Sequence, residues 1–148
     1  MEKLIIGRKD HADLPLFGLV NVPVKIDTGA YSSSIHCDKI DLIEAGGKEF
    51  LKVEFFAANG LPATVVTFET FKTKKVRSSS GQEENRYFVY GNIVLFSKKY
   101  KALFSLTKRK RMRYPILLGR KLLNKRFIVD PSKIDLSLNN LKSTVFIN

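Results

Sequence analysis

Short segments in which apolar and polar residues alternate, separated by turn-forming pairs, are the feature that most limits how this chain folds. Residues 20–26 show this period of two, which is typical of a strand with one buried face. The pattern recurs over 51–55, 87–96 and 100–106, and residues 63–71 are rich in Val, Thr and Phe. Gly46-Gly47 and Asn59-Gly60 are strong turn signals. The sequence therefore predicts an all-β, small, closed-barrel-like fold.

Finer features of this fold are also predicted. Helix is expected only briefly, over residues 38–43 and 120–125. Gly91-Asn92 is expected to form a bulge or bend inside a strand, and Ser97-Lys98-Lys99 a hairpin turn. The 148 residues contain no internal repeat, low-complexity tract or linker, which predicts one domain over residues 1–148.

The predicted strand at 20–26 ends in Asp27-Thr28-Gly29-Ala30, a motif that brings together an acid, a hydroxyl and a glycine. Two carboxylates that share one proton can activate water and protonate a carbonyl oxygen. No second Asp-Thr-Gly or Asp-Ser-Gly occurs in the chain, so such a pair would need a second copy of the protein. The same tetrapeptide also suits an ordinary turn.

A second motif carries a family resemblance. The segment Ile116-Leu117-Leu118-Gly119-Arg120, followed by Leu122-Leu123, resembles the second signature of retropepsins, the half-sized, dimeric aspartic peptidases. The chain resembles still more closely a bacterial retropepsin-like family, historically labelled ATP-dependent zinc proteases, some of whose members accompany ATP-grasp ligases that add glutamates to ribosomal proteins. The matching segments, in order, are Gly7-Arg8 with Leu14-Pro15, Lys25 to Ala30, Ser33-Ser34-Ile35-His36, Val76-Arg77-Ser78-Ser79 with Gly81, Met112-Arg113-Tyr114-Pro115, Leu117 to Arg120, and Arg126-Phe127-Ile128-Val129-Asp130.

The resemblance implies a retropepsin (acid protease) fold and an aspartic endopeptidase that works as a homodimer. Asp27 and its symmetry mate would be the general acid and base, Thr28 would link the two catalytic loops, and Gly29 would line the substrate backbone. The expected structural residues are His36, which would support the catalytic loop, Gly119, which opens a short helix with Arg120, and Arg120 itself, as an ion-pair residue near the dimer contact rather than a catalyst. Retroviral members usually carry acidic residues where this chain has Tyr31-Ser32, so any partner of Arg120 must lie elsewhere.

Residues 72–86 are a polar, glycine-bearing segment between two strand-like flanks. On sequence alone this could be a mobile surface hairpin, and the resemblance favours a flap that folds over a bound peptide and excludes water. The expected substrate-binding residues are Ala30, Arg77, Ser79, Gly81 and Arg86.

The chain is strongly basic, with 26 Lys and Arg against 14 Asp and Glu and a formal net charge of +12. Such an excess favours anionic partners. A peptide or protein substrate is expected, and a glutamate-rich tail is the natural acidic candidate. The densest basic run, Lys108-Arg109-Lys110-Arg111 with Arg113, is either a substrate contact or a solvated loop. Two other functions stay open: a catalytically idle binding or assembly module of the same fold, and a basic nucleic-acid-associated protein, although no nucleic-acid motif is present.

Neither a metal nor a cofactor is predicted. His11, His36 and Cys37 do not form a zinc-protease pattern, and there is no phosphate-binding loop. Cys37 is the single cysteine and is interpreted as a buried structural side chain rather than a nucleophile. No apolar run approaches the roughly 20 residues that span a bilayer, and the N-terminus does not resemble a signal peptide, so a cytoplasmic location is expected.

Overall fold

The computed structural model describes residues 2–77, 79–108 and 113–140. Besides the strands, this part of the chain contains a 3₁₀ turn at Pro15–Phe17, one short helix, α1 (Arg120–Leu123), and helical residues at 136–140. The strands are β1 (Leu4–Ile6), β2 (Lys9–Leu14), β3 (Leu19–Ile26), β4 (Ser33–His36), β5 (Lys39–Ala45), β6 (Lys48–Glu54), β7 (Val65–Phe68), β8 (Lys72–Arg77), β9 (Glu83–Leu95), β10 (Lys98–Thr107), β11 (Ile116–Leu118) and β12 (Phe127–Val129).

Six strands close into a barrel. The main sheet has the order β10-β4-β11-β3-β2-β9-β8, and β10 also pairs with β9, which joins the two sides of the sheet. Strand β8 lies outside the closed part and forms a hairpin with β9. The prediction of a small all-β, barrel-like fold with one or two short helices is confirmed. Within the three described ranges, none of the helices is both long and apolar enough to cross a membrane.

Strand β3 confirms the alternation read from the sequence, with one shift of phase. Val22, Val24 and Ile26 are buried, as the period of two predicts. Val20, however, is 56% exposed, and Leu19 is buried in its place. The cause is a bulge at Asn21, whose φ is +51° and whose N–H donates to Asp13 Oδ1 at 2.7 Å. The segment that leads into Asp27 therefore keeps its inward side chains.

The predicted helix over residues 38–43 is wrong. Residues 39–43 lie in β5, which pairs antiparallel with β6, and β6 pairs in turn with β7 in a second sheet. The Gly46-Gly47 turn has two positive φ values, +58° and +78°, and is a two-residue hairpin loop between Ala45 and Lys48. Such a loop fixes strand pairing directly, and this pairing prevails over the weak local helical pattern.

Of the bulge or bend predicted at Gly91-Asn92, the bulge is wrong, since β9 and β10 pair in unbroken register from Lys98↔Leu95 to Ser105↔Phe88. The glycine is needed for packing instead. The Phe17 ring lies against Gly91, and it stacks on Phe55 at 4.7 Å between ring centroids. A Cβ on Gly91 would lie 2.5 Å from Phe17 Cζ.

We therefore expect Gly91→Ala to lower the free energy of unfolding by about 1–3 kcal/mol, because an added methyl group overpacks a full core. Urea unfolding measures this change. Leucine at position 17 removes the ring that the new methyl group would contact. The double variant Phe17→Leu/Gly91→Ala should therefore lose less stability than the sum of the losses in the two single variants. Strict additivity of the two changes would contradict the contact.

The turn between β9 and β10 lies one position earlier than predicted, at Phe96 and Ser97, both with positive φ (+53° and +61°). A bulky residue rarely adopts this conformation. Here the Phe96 N–H donates to Ser137 Oγ at 2.8 Å, and the ring packs near Phe127. These long-range contacts place the turn at Phe96 and Ser97, one position before the turn that the local sequence predicts.

Candidate active site

Asp27 directly follows β3 and is held there by the neighbouring strand. Strand β3 runs parallel to β11, with Ile26 opposite Leu118, and the Asp27 N–H donates to the Leu118 carbonyl at 2.9 Å. The Asp27 side chain is half-buried. The pairing of β3 with β11 therefore fixes the backbone that carries this carboxylate at one end of the barrel.

The loop after Asp27 turns back on the carboxylate. The Gly29 N–H donates to Asp27 Oδ1 at 3.1 Å, and the Ala30 N–H donates to the Asp27 carbonyl at 3.2 Å. A Cβ at Gly29 would meet only Asp27 Oδ1, at an ordinary 3.4 Å, and its φ lies outside the left-handed region. The glycine is thus not required by the turn. It leaves the side of the loop next to the carboxylate open.

Gly119 lies against this loop because no larger residue fits there. A Cβ on Gly119 would lie 2.6 Å from the Ser32 carbonyl oxygen and 2.7 Å from that of Tyr31. The Gly119 N–H donates to the buried Ser33 Oγ at 3.1 Å. The loop and the start of α1 therefore form one packed unit.

Arg120 supports the loop within its own chain. Its Nη1 donates to the Thr28 carbonyl at 3.0 Å, its backbone N–H donates to the Ala30 carbonyl at 2.9 Å, and its guanidinium lies 5.9 Å from the centre of the Tyr31 ring. None of the ion pairs among the described residues includes Arg120. Its partners within the chain are thus carbonyl oxygens and an aromatic ring, and an ion pair at a dimer contact stays a prediction.

Ser33 is the side chain that ties the loop to the helix start, and sequence reasoning did not select it. Ser33→Ala should lower the free energy of unfolding by about 1–3 kcal/mol, because the Gly119 N–H would lose its partner in a buried position. Ser105 provides a matched control, since its buried Oγ has no partner in the described part of the chain. Ser105→Ala should change stability by much less, and equal losses in the two variants would contradict the role given to Ser33.

A cleft of about 320 Å³ opens above Asp27. Strands from distant parts of the sequence line it, which is why most of its residues could not be selected in advance. Its lining residues are Asp27, Ala30, Ser32, Ser33, Ser34, Arg86, Phe88, Ser105, Thr107 and Leu117. The structure therefore brings together Asp27, Ala30 and Arg86 of the predicted site residues, whereas Thr28 and Gly29 are exposed on the loop beside the cleft.

The other predicted substrate residues lie on the β8–β9 hairpin. Its register, Lys72↔Phe88 to Arg77↔Glu83, confirms a hairpin over the predicted flap segment. Arg77 is exposed, and Ser79 and Gly81 lie in the exposed tip, where Gly81 has a φ of +83°. These three residues do not line the cleft, and their contact with substrate stays a prediction.

A second cavity of about 400 Å³ adjoins the cleft through Arg86 and Thr107, and its lining includes Glu84 and Lys108. Arg86 Nη2 lies 3.4 Å from Glu84 Oε1 in a solvent-exposed ion pair, which stabilises little. Of the basic run at 108–113, residues 109–112 lie outside the described residues.

The contacts of the two histidines and the burial of the cysteine are those of structural residues. His36 Nε2 contacts Asp38 Oδ1 at 2.9 Å, so this ring does not support the catalytic loop as predicted. His11 Nδ1 contacts Asp135 Oδ1 at 3.1 Å. Cys37 is buried, and burial raises the pKa of its thiol to about 12, so it is protonated and unreactive at neutral pH. In the part of the chain that the structure describes, no group of three His, Cys, Asp or Glu side chains could hold a metal ion.

A family model described as RimB-like, "Retropepsin-like aspartic endopeptidase RimB", matches residues 5–138, a range that includes both loop motifs and the hairpin. The chain belongs to this RimB-like family. The predicted family resemblance is confirmed.

A solved relative of this RimB-like chain has the same fold. The crystal structure of a Legionella pneumophila protein of unknown function superposes with a TM-score of 0.74 and 30% sequence identity, and the match covers 92% of this chain and 99% of that one.

Curated relatives carry a different name. Two proteins called "Probable alpha-L-glutamate ligase" are similar: one from Shewanella pealeana, 29% identical over 133 residues, and one from Parasynechococcus marenigrum, 30% identical over 131 residues. The matches cover 88% and 87% of this chain but only 29% and 28% of those proteins. The chain thus spans less than a third of the length of the curated relatives it matches.

One buried carboxylate of the RimB-like fold was not selected from the sequence. Asp10 is 1% exposed and accepts hydrogen bonds from the N–H groups of His11, Ser137 and Leu138 at 2.8–3.1 Å. Burial raises its pKa, and the three hydrogen bonds act in the opposite direction. It fastens the segment at 137–138 to β2 and does not line the cleft, and two of its donors are 127 and 128 residues away in sequence, so local patterns could not reveal it.

Proposed function

We propose that this chain is one half of a homodimeric aspartic peptidase, with Asp27 and its symmetry mate as the catalytic pair. The observation that carries the proposal is the half-buried Asp27 carboxylate, held by the Gly29 N–H at the base of an open cleft. Membership of a family named for retropepsin-like aspartic endopeptidases supports it. Replacement of Asp27 by Asn, argued in the Discussion, is the experiment that tests it.

The reaction requires the pair to hold one proton between them. Two adjacent carboxylates do not both ionise readily, since like charges at short distance raise the pKa of one of them. The ionised carboxylate takes a proton from water as the water oxygen attacks the peptide carbonyl carbon, and the protonated carboxyl donates its proton to the carbonyl oxygen. Collapse of the tetrahedral intermediate then breaks the C–N bond, and a proton passes to the leaving amine.

The site is incomplete in one chain, which is why the proposal includes a dimer. A single chain supplies one Asp-Thr-Gly. Thr28 is exposed at the tip of the loop, and its hydroxyl has no partner among the described residues. We propose that this hydroxyl bonds to the opposite loop across a two-fold axis, which would bring the two carboxylates together.

An acidic peptide is the substrate that the charges favour. Arg86 lines the cleft, Lys108 lines the adjoining cavity, and the net charge is +12. That proteins called probable alpha-L-glutamate ligases contain a similar segment adds weight to a glutamate-rich substrate. Glu84 acts against this preference near Arg86, so carboxylate recognition needs cations elsewhere on the surface.

A further inference from the structure

A third cavity, of about 310 Å³, lies beside the cleft and is strongly basic. We call it the basic pocket. Three of its side chains are cations and none is a carboxylate. Its lining residues are Ser33, Tyr90, Lys101, Ala102, Leu103, Lys121, Leu122 and Arg126.

The basic pocket continues the cleft along the same face of the sheet. Ser33 lines both cavities. On β9, Phe88 of the cleft and Tyr90 of the pocket are two residues apart, so their side chains point to the same face. On β10, Ser105 of the cleft and Lys101 of the pocket are four residues apart, about 13 Å along a strand. A ligand that lies over Asp27 in an extended conformation would reach the pocket with about four further residues.

Two lysine ammonium groups lie next to Tyr90 in and beside the basic pocket. It is 40% exposed, Lys101 Nζ lies 4.5 Å from the centre of its ring, and Lys72 Nζ donates to its hydroxyl at 3.3 Å. The hydrogen bond from Lys72, together with the positive charges of Lys72, Lys121 and Lys101, lowers the pKa of the Tyr90 hydroxyl. The potential at the pocket is therefore positive.

These cations also lack internal counter-charges. None of the ion pairs within the described ranges includes Lys72, Lys101, Lys121 or Arg126. Arg86 in the cleft, by contrast, is paired with Glu84. The unneutralised charge on this face thus includes Lys101, which lies four residues along β10 from the cleft residue Ser105.

We propose that the basic pocket is an exosite that binds the side-chain carboxylates of an acidic peptide about four residues away from the peptide bond held over Asp27. The inference rests on the proposed function, which makes Asp27 the catalytic residue. It adds the residues that select the substrate: Tyr90, Lys101, Lys121 and Arg126. Ammonium and guanidinium groups with free N–H donors bind carboxylates well.

An acidic peptide fits these observations better than a nucleic acid. The pocket is continuous with a cleft that opens on a candidate peptidase carboxylate. Single-stranded nucleic acid would need an open aromatic face for base stacking, whereas the ammonium of Lys101 lies over the Tyr90 ring.

The test measures binding in an Asp27→Asn background, so that cleavage does not interfere. The probes are a fluorescently labelled peptide of ten glutamates and a labelled glutamine-rich peptide of the same length. Their binding is measured by fluorescence anisotropy at low salt. Lys101→Gln/Lys121→Gln should weaken binding of the glutamate peptide about tenfold, since two carboxylate contacts are lost, and should leave the glutamine-rich peptide unchanged. Rising salt should reduce the difference.

Lys98→Gln/Lys99→Gln is the matched control, because it removes the same charge from the exposed start of β10, outside the pocket. It should weaken binding less than twofold. Equal losses in the two double variants would overturn the exosite in favour of a general charge effect, and so would unchanged binding in both. Tighter binding of a uridine decamer than of the glutamate peptide, lost in Tyr90→Ala, would overturn it in favour of a nucleic acid.

Kinetics in the wild-type background separate this inference from the proposed function. With a cleavable acidic peptide, the Lys101→Gln/Lys121→Gln variant should have a raised KM and an unchanged kcat, because the pocket is remote from the bond that breaks. Absence of any cleavage by the wild-type protein would reject the peptidase, while Lys101-dependent binding of the glutamate peptide would still support the pocket. A fall in kcat with unchanged KM would overturn the exosite.

Discussion

Replacing Asp27 by Asn should lower the rate of peptide hydrolysis by about a thousandfold or more. An amide cannot accept the proton of the attacking water, and loss of a general acid–base group typically costs about 10²–10⁴ in rate. Asn keeps an oxygen that can accept the Gly29 N–H at 3.1 Å, so the loop should retain its conformation. The measurement is turnover of a peptide substrate, together with the urea midpoint as a check of folding.

Glu44→Gln is the matched control, since Glu44 is an exposed carboxylate on β5 and does not line the cleft above Asp27. Its activity should equal that of the wild type. Wild-type turnover in a cleanly purified Asp27→Asn protein would reject the aspartic mechanism. Activity that persists in this variant and disappears with a chelator would point to a metal instead.

The parts of the fold that could be predicted are those with a strong local signal. The buried face of β3 and the Gly46-Gly47 turn follow directly from side-chain alternation and from glycine at positive φ. Residues 38–43 were misassigned because a short apolar run fits both periods, and pairing with β6 decides between them. Gly91 was misread because its reason lies in the Phe17 ring, 74 positions earlier in the chain.

The residues of the candidate site likewise fall into those that a local motif reveals and those that only the fold reveals. Asp27 and its loop form a contiguous motif, so sequence alone could select them. Ser33 lies in a matching segment that assigned it no role, and Tyr90 lies in none; both matter because the barrel brings β4, β9 and β10 together. Arg120 was selected by resemblance, but its contacts with the Thr28 carbonyl and the Tyr31 ring could be found only from the structure.

Mixing wild-type chains with an excess of Asp27→Asn chains should suppress activity far more than dilution does. If the active site needs one Asp27 from each chain, only wild-type pairs are active. With about nine variant chains for each wild-type chain, random pairing leaves only about one dimer in a hundred fully wild type, so activity per wild-type chain falls about tenfold. The mixture must first be equilibrated so that subunits exchange, and turnover is then measured at constant wild-type concentration.

Adding the same excess of Glu44→Gln chains is the control, because these chains carry an intact Asp27 and should raise activity rather than suppress it. Activity that stays proportional to wild-type chains after verified exchange would mean that one chain holds a complete site. That outcome would also remove the reason for the exposed Thr28 hydroxyl at the loop tip, which has no partner within the described part of its own chain. Suppression that persists at saturating substrate, in contrast, would indicate that two loops meet, because excess variant chains cannot then act by sequestering substrate.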